Sequence, residues 1–335
     1  MRACAHFLHR SGPRAILRLV ATAWVGLALA IASSVEAQAQ FPSKPVRIVV
    51  PFPAGGTVDV AARIVSQRLG DLLGQSVIID NRPGANGTIG GSVVAKSAPD
   101  GHTLFAVSST HVINPSIMAQ MPFDPIKDFT PITVLGTLPL VFASGSEQPF
   151  KTLPEMIDYA KSRPGQLVLG YTDASTLLLG EMLKSAAGID LKSVAYKGGA
   201  PMLADVIGGH IHLGATGAGS ANAHYKAGNI KVLAVSENRR AVSMPDVPTV
   251  AESGVPGFNV QVWVILLGPA GLPAPIVDRL HGDIAKALSE PQVASRLVDA
   301  GTMPKGSSPS DTMAALKADM EMWSAAARKA GLKPQ

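Results

Sequence analysis

Short β-branched runs alternate along this chain with longer stretches in which apolar positions recur every three or four residues, the pattern of strands alternating with helices. The first such unit organises the rest. Val46–Val50 reads as a buried strand between Pro45 and Pro51, and Pro51 and Pro53 stop it because neither has the N–H that a ladder needs. Gly55 and Gly56 let the backbone turn and approach a ligand closely. Thr57 stands where an N-cap is wanted, ahead of a helix running to about Leu73. Further strands are expected over 76–79, 104–107, 132–135, 140–143, 167–170, around Val194, and over 211–215, 230–235 and 258–267. Helices are expected up to about Ser97, over 152–162 and 175–187, from 196–200 to Gly208, and over 275–289, 291–300 and 309–330, the last with Ser308 as its N-cap. The stretch from Asn114 to Pro125 is broken by prolines and reads as irregular. This order predicts an α/β fold of mostly parallel sheets with helices on both faces.

A chain of 335 residues, 47% of them apolar, can fill about two lobes. The strand over 140–143 carries the chain out of the first lobe, and the uninterrupted apolar strand over 258–267 brings it back. Lobe 1 is therefore expected over 40–141 and 258–335, and lobe 2 over 142–257. Residues 1–39 read differently. Arg2, Arg10, Arg14 and Arg18 precede an apolar run over 19–32 and then Ala37-Gln38-Ala39, the sequence of an export signal cleaved after Ala39. The apolar run is short of the ~20 residues that a membrane span needs. The four arginines and Glu36 lie within those residues, so the formal charge of +5 falls to about +2 on their removal. The basic balance thus gives no support for nucleic-acid binding. Cys4 is the single cysteine and leaves with the signal, so a disulfide, a thiol nucleophile and a thiolate metal site are all excluded from the mature chain. An exported, cysteine-free α/β protein suits the periplasm.

The familiar catalytic signatures are missing: no Gly-x-Ser-x-Gly elbow, no Gly-Lys of a P-loop and no His-Glu-x-x-His. Gly84, Gly87 and Gly90 have the wrong spacing for a dinucleotide fingerprint. His210 and His212 alternate on an expected strand without a third ligand, so no metal and no cofactor is expected. What remains are small-residue loops at the carboxyl ends of strands, where open α/β sheets bind ligands. They comprise Phe52, Ala54, Gly55, Gly56 and Thr57; Ser108, Ser109 and Thr110; Tyr171, Thr172, Asp173, Ala174, Ser175 and Thr176; and Tyr196, Lys197 and Gly198. Hydroxyls and backbone N–H groups at helix beginnings suit the oxygens of a small carboxylate. Asp59 falls in a helix first turn and reads as mainly structural, with a bridging water as its other role. Asp173 has two readings, an N-cap for the following helix, or a pocket-facing group that recognises an ammonium, an amide or a protonated group.

Ordered motifs over nearly the whole mature chain resemble the Bug-type, TctC-like substrate-binding proteins of tripartite tricarboxylate transporters. They are Lys44-Pro45-x-Arg47 with Pro51-Phe52-Pro53-Ala54-Gly55-Gly56-x-x-Asp59, then Asn81-Arg82-Pro83-Gly84-Ala85, Pro99-Asp100-Gly101, Asn114-Pro115, Asp128-Phe129-x-Pro131, Tyr196-Lys197-Gly198 and Pro245-Asp246-Val247-Pro248-Thr249. The resemblance implies a type II periplasmic-binding-protein fold with two hinge crossings. It also implies a carboxylated metabolite gripped largely by main-chain groups and waters, and a monomeric receptor that delivers it to the permease subunits. Where the family usually has a Gly-Ser-rich segment and then His-Leu, this chain has Tyr171-Thr172-Asp173-Ala174-Ser175-Thr176-Leu177, which implies a ligand other than a plain dicarboxylate. Two alternatives stand beside the receptor: a sensor ligand domain for a membrane signalling partner, and an exported enzyme using the same cleft.

Overall fold

The computed structural model describes residues 41–332 and 334, and the expected export segment, 1–39, lies outside them. In chain order the elements are β1 Val46–Val50, α1 Thr57–Leu73, β2 Val77–Asn81, α2 Thr88–Ala95, β3 Thr103–Ser108, α3 Thr110–Ile113, β4 Phe129–Leu138, β5 Leu140–Gly145, α4 Leu153–Ser162, β6 Val168–Tyr171, α5 Ala174–Ala187, β7 Lys192–Ala195, α6 Gly199–Ile207, β8 Leu213–Gly217, α7 Ala218–Lys226, β9 Ile230–Val235, β10 Val262–Pro269, α8 Ala274–Ser289, α9 Pro291–Asp299, β11 Met303–Pro304 and α10 Pro309–Lys329. Three of these, α3, α7 and β11, were not expected from the sequence. The α7 stretch, AGSANAHYK, has too few apolar residues to show a helical period, and β11 has only two residues. His210 and His212 sit in the turn before β8 rather than on the strand, and His212 Nδ1 accepts the Val168 N–H at 3.2 Å.

The strands form two sheets, in the orders β11-β4-β10-β3-β1-β2 and β7-β6-β8-β5-β9. Within each lobe the βα units pair in parallel, β1 with β2 and β3, and β6 with β7 and β8. The strands that enter from the other lobe run the opposite way: β10 is antiparallel to β3 and β4, and β5 is antiparallel to β8 and β9. The geometry of the crossings explains the reversal. A strand arriving from the neighbouring lobe enters its new sheet at the end where the resident strands finish. The first crossing falls at Pro139, since Leu140 and Val141 pair in the second sheet rather than the first. The return crossing runs beside it. Ser236 donates its N–H to Leu140 O and its hydroxyl to Val260 O, both at 2.8 Å, and Val260 returns an N–H to Ser236 O at 2.8 Å.

Each lobe has its own apolar filling, with Ile48, Phe105, Ile132 and Leu135 in the first and Phe142, Phe150, Leu153 and Met156 in the second, all almost fully buried. Helix α10 packs on β4 of the first sheet and on α5 of the second lobe, so it braces the crossings from behind. Two helix beginnings away from the cleft follow ordinary rules. Thr152 and Ser308 cap α4 and α10 by accepting the Glu155 and Asp311 N–H, and Pro lies in the first turn of each.

Two acids are buried beside the crossings. Glu237 follows Ser236 with 5% of its surface exposed, and its Oε1 has no hydrogen-bond partner among the described residues. Burial pushes it up to about 7, against the charges of Arg239 and Lys305. Asp319 on α10 accepts a hydrogen bond from Trp263 Nε1 on β10, and burial pushes it up to about 6 against that bond and Lys305. Both folded values lie above the ordinary carboxylate range. Their contribution is therefore present at low pH and is lost as pH rises through 6 and 7. Urea unfolding at pH 5 and pH 8 is expected to show the wild type losing on the order of 2 kcal/mol more than Glu237→Gln over that interval. Equal losses would show that Glu237 titrates as it does in water.

Candidate functional site

The site is built from β1 outward. Pro51 ends the strand, Gly55 turns the loop at φ 82°, and Gly56 takes an extended conformation ahead of α1. Gly56 is thus the N-cap and Thr57 the first helical residue, which corrects the expectation that Thr57 caps the helix. A glycine has no side chain to satisfy the first-turn amides, so α1 opens without a side-chain cap. The loop is held from behind by Asp59, which is 1% exposed. Its Oδ2 accepts the Gly55 N–H and Arg63 Nε, both at 2.9 Å, and its Oδ1 accepts Asn81 Nδ2 at 2.8 Å. Asn81 Nδ2 also donates to Phe52 O at 3.0 Å, and Arg63 Nη2 donates to Asn81 Oδ1 at 2.9 Å. One buried carboxylate therefore ties the Phe52–Gly55 backbone to the end of β2. Burial raises the pKa of Asp59, but the bonds from Arg63, Gly55 and Asn81 and the Arg63 charge outweigh it and hold the group below the ordinary value.

The second lobe repeats the device. Gly198, at φ 142°, precedes α6, and Gly217 precedes α7; neither helix has a side-chain cap. Ala218 N–H is taken by Pro139 O at 2.8 Å, which fixes α7 to the crossing. Between β2 and α2 four successive residues have positive φ: Gly84 at 129°, Ala85 at 45°, Asn86 at 51° and Gly87 at 89°. Ala85 and Asn86 each cost roughly 1–3 kcal/mol in such a conformation. Asn114 Nδ2 donates to Asn86 O at 2.9 Å and holds the strained turn in place.

These loops enclose a cavity of about 1160 Å³ between the sheets. That exceeds the ~300–1000 Å³ of an ordinary small-ligand pocket, as a cleft shared by two lobes should. Of the residues expected from the sequence, Phe52, Ala54, Gly55, Gly56, Thr57, Ser108, Thr110, Thr172, Asp173, Ser175, Thr176, Lys197 and Gly198 line it. Five others do not. Asp59 lies behind its loop, and Ser109 is fully buried, its Oγ accepting the Trp263 N–H at 3.3 Å. Tyr171 finishes β6, its carbonyl accepting the Tyr196 N–H at 2.8 Å, and Ala174 is buried in the first turn of α5. Tyr196 gives its hydroxyl to Asp205 Oδ2 at 2.7 Å, a bond that together with burial pushes the phenol up to about 12. The cavity also takes in the strained turn over 83–87, Gly199 to Pro201, Thr216, Gly217, Gly219, Ser220, His224 and Gly301. The rule of strand carboxyl ends points to Thr216 and Gly217 at the end of β8. It was missed there because α7 shows no helical pattern in the sequence.

Asp173, Lys197 and His224 are the ionisable side chains along the wall among the described residues. The rest of the wall is mostly small or hydroxylated, with Phe52, Leu138, Leu140, Leu203 and Val262 among its larger apolar members. Asp173 does cap α5: Oδ1 accepts the Thr176 N–H at 2.9 Å and the Ser175 and Thr176 hydroxyls, while Thr176 Oγ1 accepts the Asp173 N–H at 3.0 Å. The same residue also borders the cavity. Removing Asp59 tests the loop anchor. Asp59→Ala is expected to lower stability by about 2–3 kcal/mol in urea unfolding at pH 7. It also removes a contribution that the wild type loses only as pH falls below the ordinary carboxylate value. An unchanged midpoint would show that the loop stands without the carboxylate.

Residues 61–332 match the family described as tripartite tricarboxylate transporter family receptor. A UPF0065 protein of Bordetella bronchiseptica is 37% identical over 323 residues, covering 95% of this chain and 95% of that one. An R. palustris protein solved with adipate superposes with a TM-score of 0.83 at 34% identity, covering 88% of this chain and all of that one. MatC from Rhodopseudomonas palustris, with bound malate, superposes with a TM-score of 0.77 at 30% identity, covering 86% of this chain and all of that one. The family model covers residues 61–332 and the solved relatives superpose on the chain over nearly their full length, and the chain belongs to the TctC family of solute-binding receptors.

Proposed function

We propose that this protein is a periplasmic receptor that closes its two lobes over a small carboxylate and delivers it, as a monomer and without catalysis, to a membrane permease of the tripartite tricarboxylate type. The observation that carries the proposal is the convergence of three helix beginnings on the cleft, each behind a glycine: Gly56 of α1, Gly198 of α6 and Gly217 of α7. First-turn N–H groups lack intrahelical partners and stand at the positive end of the helix dipole, so together they favour carboxylate oxygens. One helix comes from the first lobe and two from the second. A carboxylate that engages both sides binds the closed form better than the open one, and that difference in affinity drives closure. Adipate and malate in the relatives are ligands of the chemical class that this arrangement suits. Ser175 and Thr176 spend their hydroxyls on the α5 cap, which argues against their use as nucleophiles.

Gly217 offers a direct test. Its φ of −66° and ψ of 141° suit any L-residue, and a Cβ there would meet only Thr57 Oγ1, at 3.9 Å across the cleft. Gly217→Val therefore fills the cavity rather than the protein interior. Calorimetric titration against mono-, di- and tricarboxylates is expected to give at least a tenfold loss of affinity, with the melting temperature of the ligand-free protein unchanged. In the wild type, a ligand at 100 times its Kd is expected to add about 2.7 kcal/mol of stability. If no carboxylate shifts the melting temperature, or if the ligand is consumed on incubation, the receptor assignment fails. Export is tested separately: the periplasmic protein is expected to begin at Gln40.

A further inference from the structure

The helices that begin at the cleft are not alike. Helices α1, α6 and α7 open on glycine with no side-chain cap, whereas α5 opens on Asp173. The cavity is therefore bordered by the positive ends of these glycine-opened helices and, at the start of α5, by a carboxylate. The capping geometry fixes how that carboxylate stands. Oδ1 is held by the Thr176 N–H and by the hydroxyls of Ser175 and Thr176, and the Thr176 hydroxyl also receives the Asp173 N–H. Oδ2 takes no part in the cap, and Asp173 forms no ion pair among the described residues. Lys197 borders the same cavity and is exposed to solvent. The side chain is thus immobilised through one oxygen, with its negative charge at the cavity wall.

The geometry points to Asp173 as the specificity-determining residue of the cleft. It selects a ligand with a carboxylate at one end and a cationic or strongly hydrogen-bond-donating group, such as a primary ammonium, at the other. This rests on the proposal that the cleft binds a carboxylate, and it deepens it by naming the second end of the ligand. The carboxylate sits against the glycine-opened helices, where it meets first-turn amides that no side chain caps. The far end meets Asp173, where a second carboxylate is repelled and an ammonium is attracted. Because α5 satisfies its own first turn, it has no free amide at Thr176 to offer a second carboxylate in compensation. A site of this kind discriminates by repulsion as much as by attraction.

The test compares matched ligands: α,ω-dicarboxylates and ω-amino carboxylates of two to five methylenes, titrated by calorimetry into the wild type and Asp173→Asn. Asparagine keeps a side-chain oxygen to accept the Thr176 N–H, so α5 stays capped while the charge is lost. The wild type is expected to bind the best amino carboxylate at least tenfold more tightly than the dicarboxylate of the same length. In Asp173→Asn this ratio is expected to fall at least tenfold, through weaker amino carboxylate binding and tighter dicarboxylate binding, with an unchanged melting temperature of the free protein. A wild type that prefers dicarboxylates, or a ratio that is the same in both proteins, overturns the role of Asp173 and leaves the carboxylate receptor standing. If neither series nor any other carboxylate binds, the receptor proposal itself has failed and this inference falls with it.

Discussion

A backbone amide in the first turn of a helix has no partner within that helix, and how those amides are satisfied decides what the end of the helix can do. In this protein the choice depends on location. At α4 and α10, Thr152 and Ser308 supply side-chain oxygens and close the matter internally. At the cleft, Gly56, Gly198 and Gly217 supply none. Glycine in place of a capping side chain costs only about a few tenths of a kcal/mol at each end, and it is used here at the place where a ligand can take the role of the cap. The loop that presents α1 is kept in shape by Asp59, whose three partners come from Gly55, Arg63 and Asn81. The anchoring charge is thus buried behind the loop rather than placed on the cleft wall.

The two-sheet architecture serves the same end. Strands β4 and β9 leave their sheets at the cleft, and β5 and β10 enter the opposite sheets there, so the connections between lobes run side by side near Pro139, Ser236 and Val260. Resident strands β1, β6 and β8 run in parallel towards that same edge, which places their following loops and helix beginnings on the cavity. The antiparallel pairing of β5 and β10 is a direct result of where they come from. Glu237 and Asp319 lie beside these crossings, and burial raises both towards neutral pH. The connection between the lobes is thus an electrostatically sensitive part of the fold as well as a mechanical one.

Asp173 shows how a single residue can work at two levels. As the cap of α5 it is a structural group with several partners and a fixed orientation. As part of the cavity wall it is the one carboxylate among the described residues that line it. The cap fixes the charge in place, because its Oδ1 is held by the Thr176 N–H and the Ser175 and Thr176 hydroxyls. Tyr196 and Ser109 took the opposite course. Both belong to sequence stretches that border the cleft, yet each directs its side chain to a partner away from it, Asp205 in one case and the Trp263 amide in the other.

Much of this was determined by the sequence alone. Alternating periodicities, proline stops and glycine turns place nearly every strand and helix, because each of those signals acts within a few residues of itself. The loops that edge the cleft are legible for the same reason, including the Pro51–Gly56 turn and the cap at Asp173. The rest was decided by contacts distant in sequence. Gly56 rather than Thr57 caps α1 because Asp59 and Asn81 pull the loop into place across the sheet. Ser109 and Tyr196 point away because Trp263 lies 154 residues beyond the first and Asp205 sits on the next helix after the second. Helix α7 forms from a stretch with little pattern of its own because Pro139 and the end of β8 hold its beginning. Local chemistry marks which residues can border a site, but which way a side chain faces depends on partners that only the folded chain brings within reach.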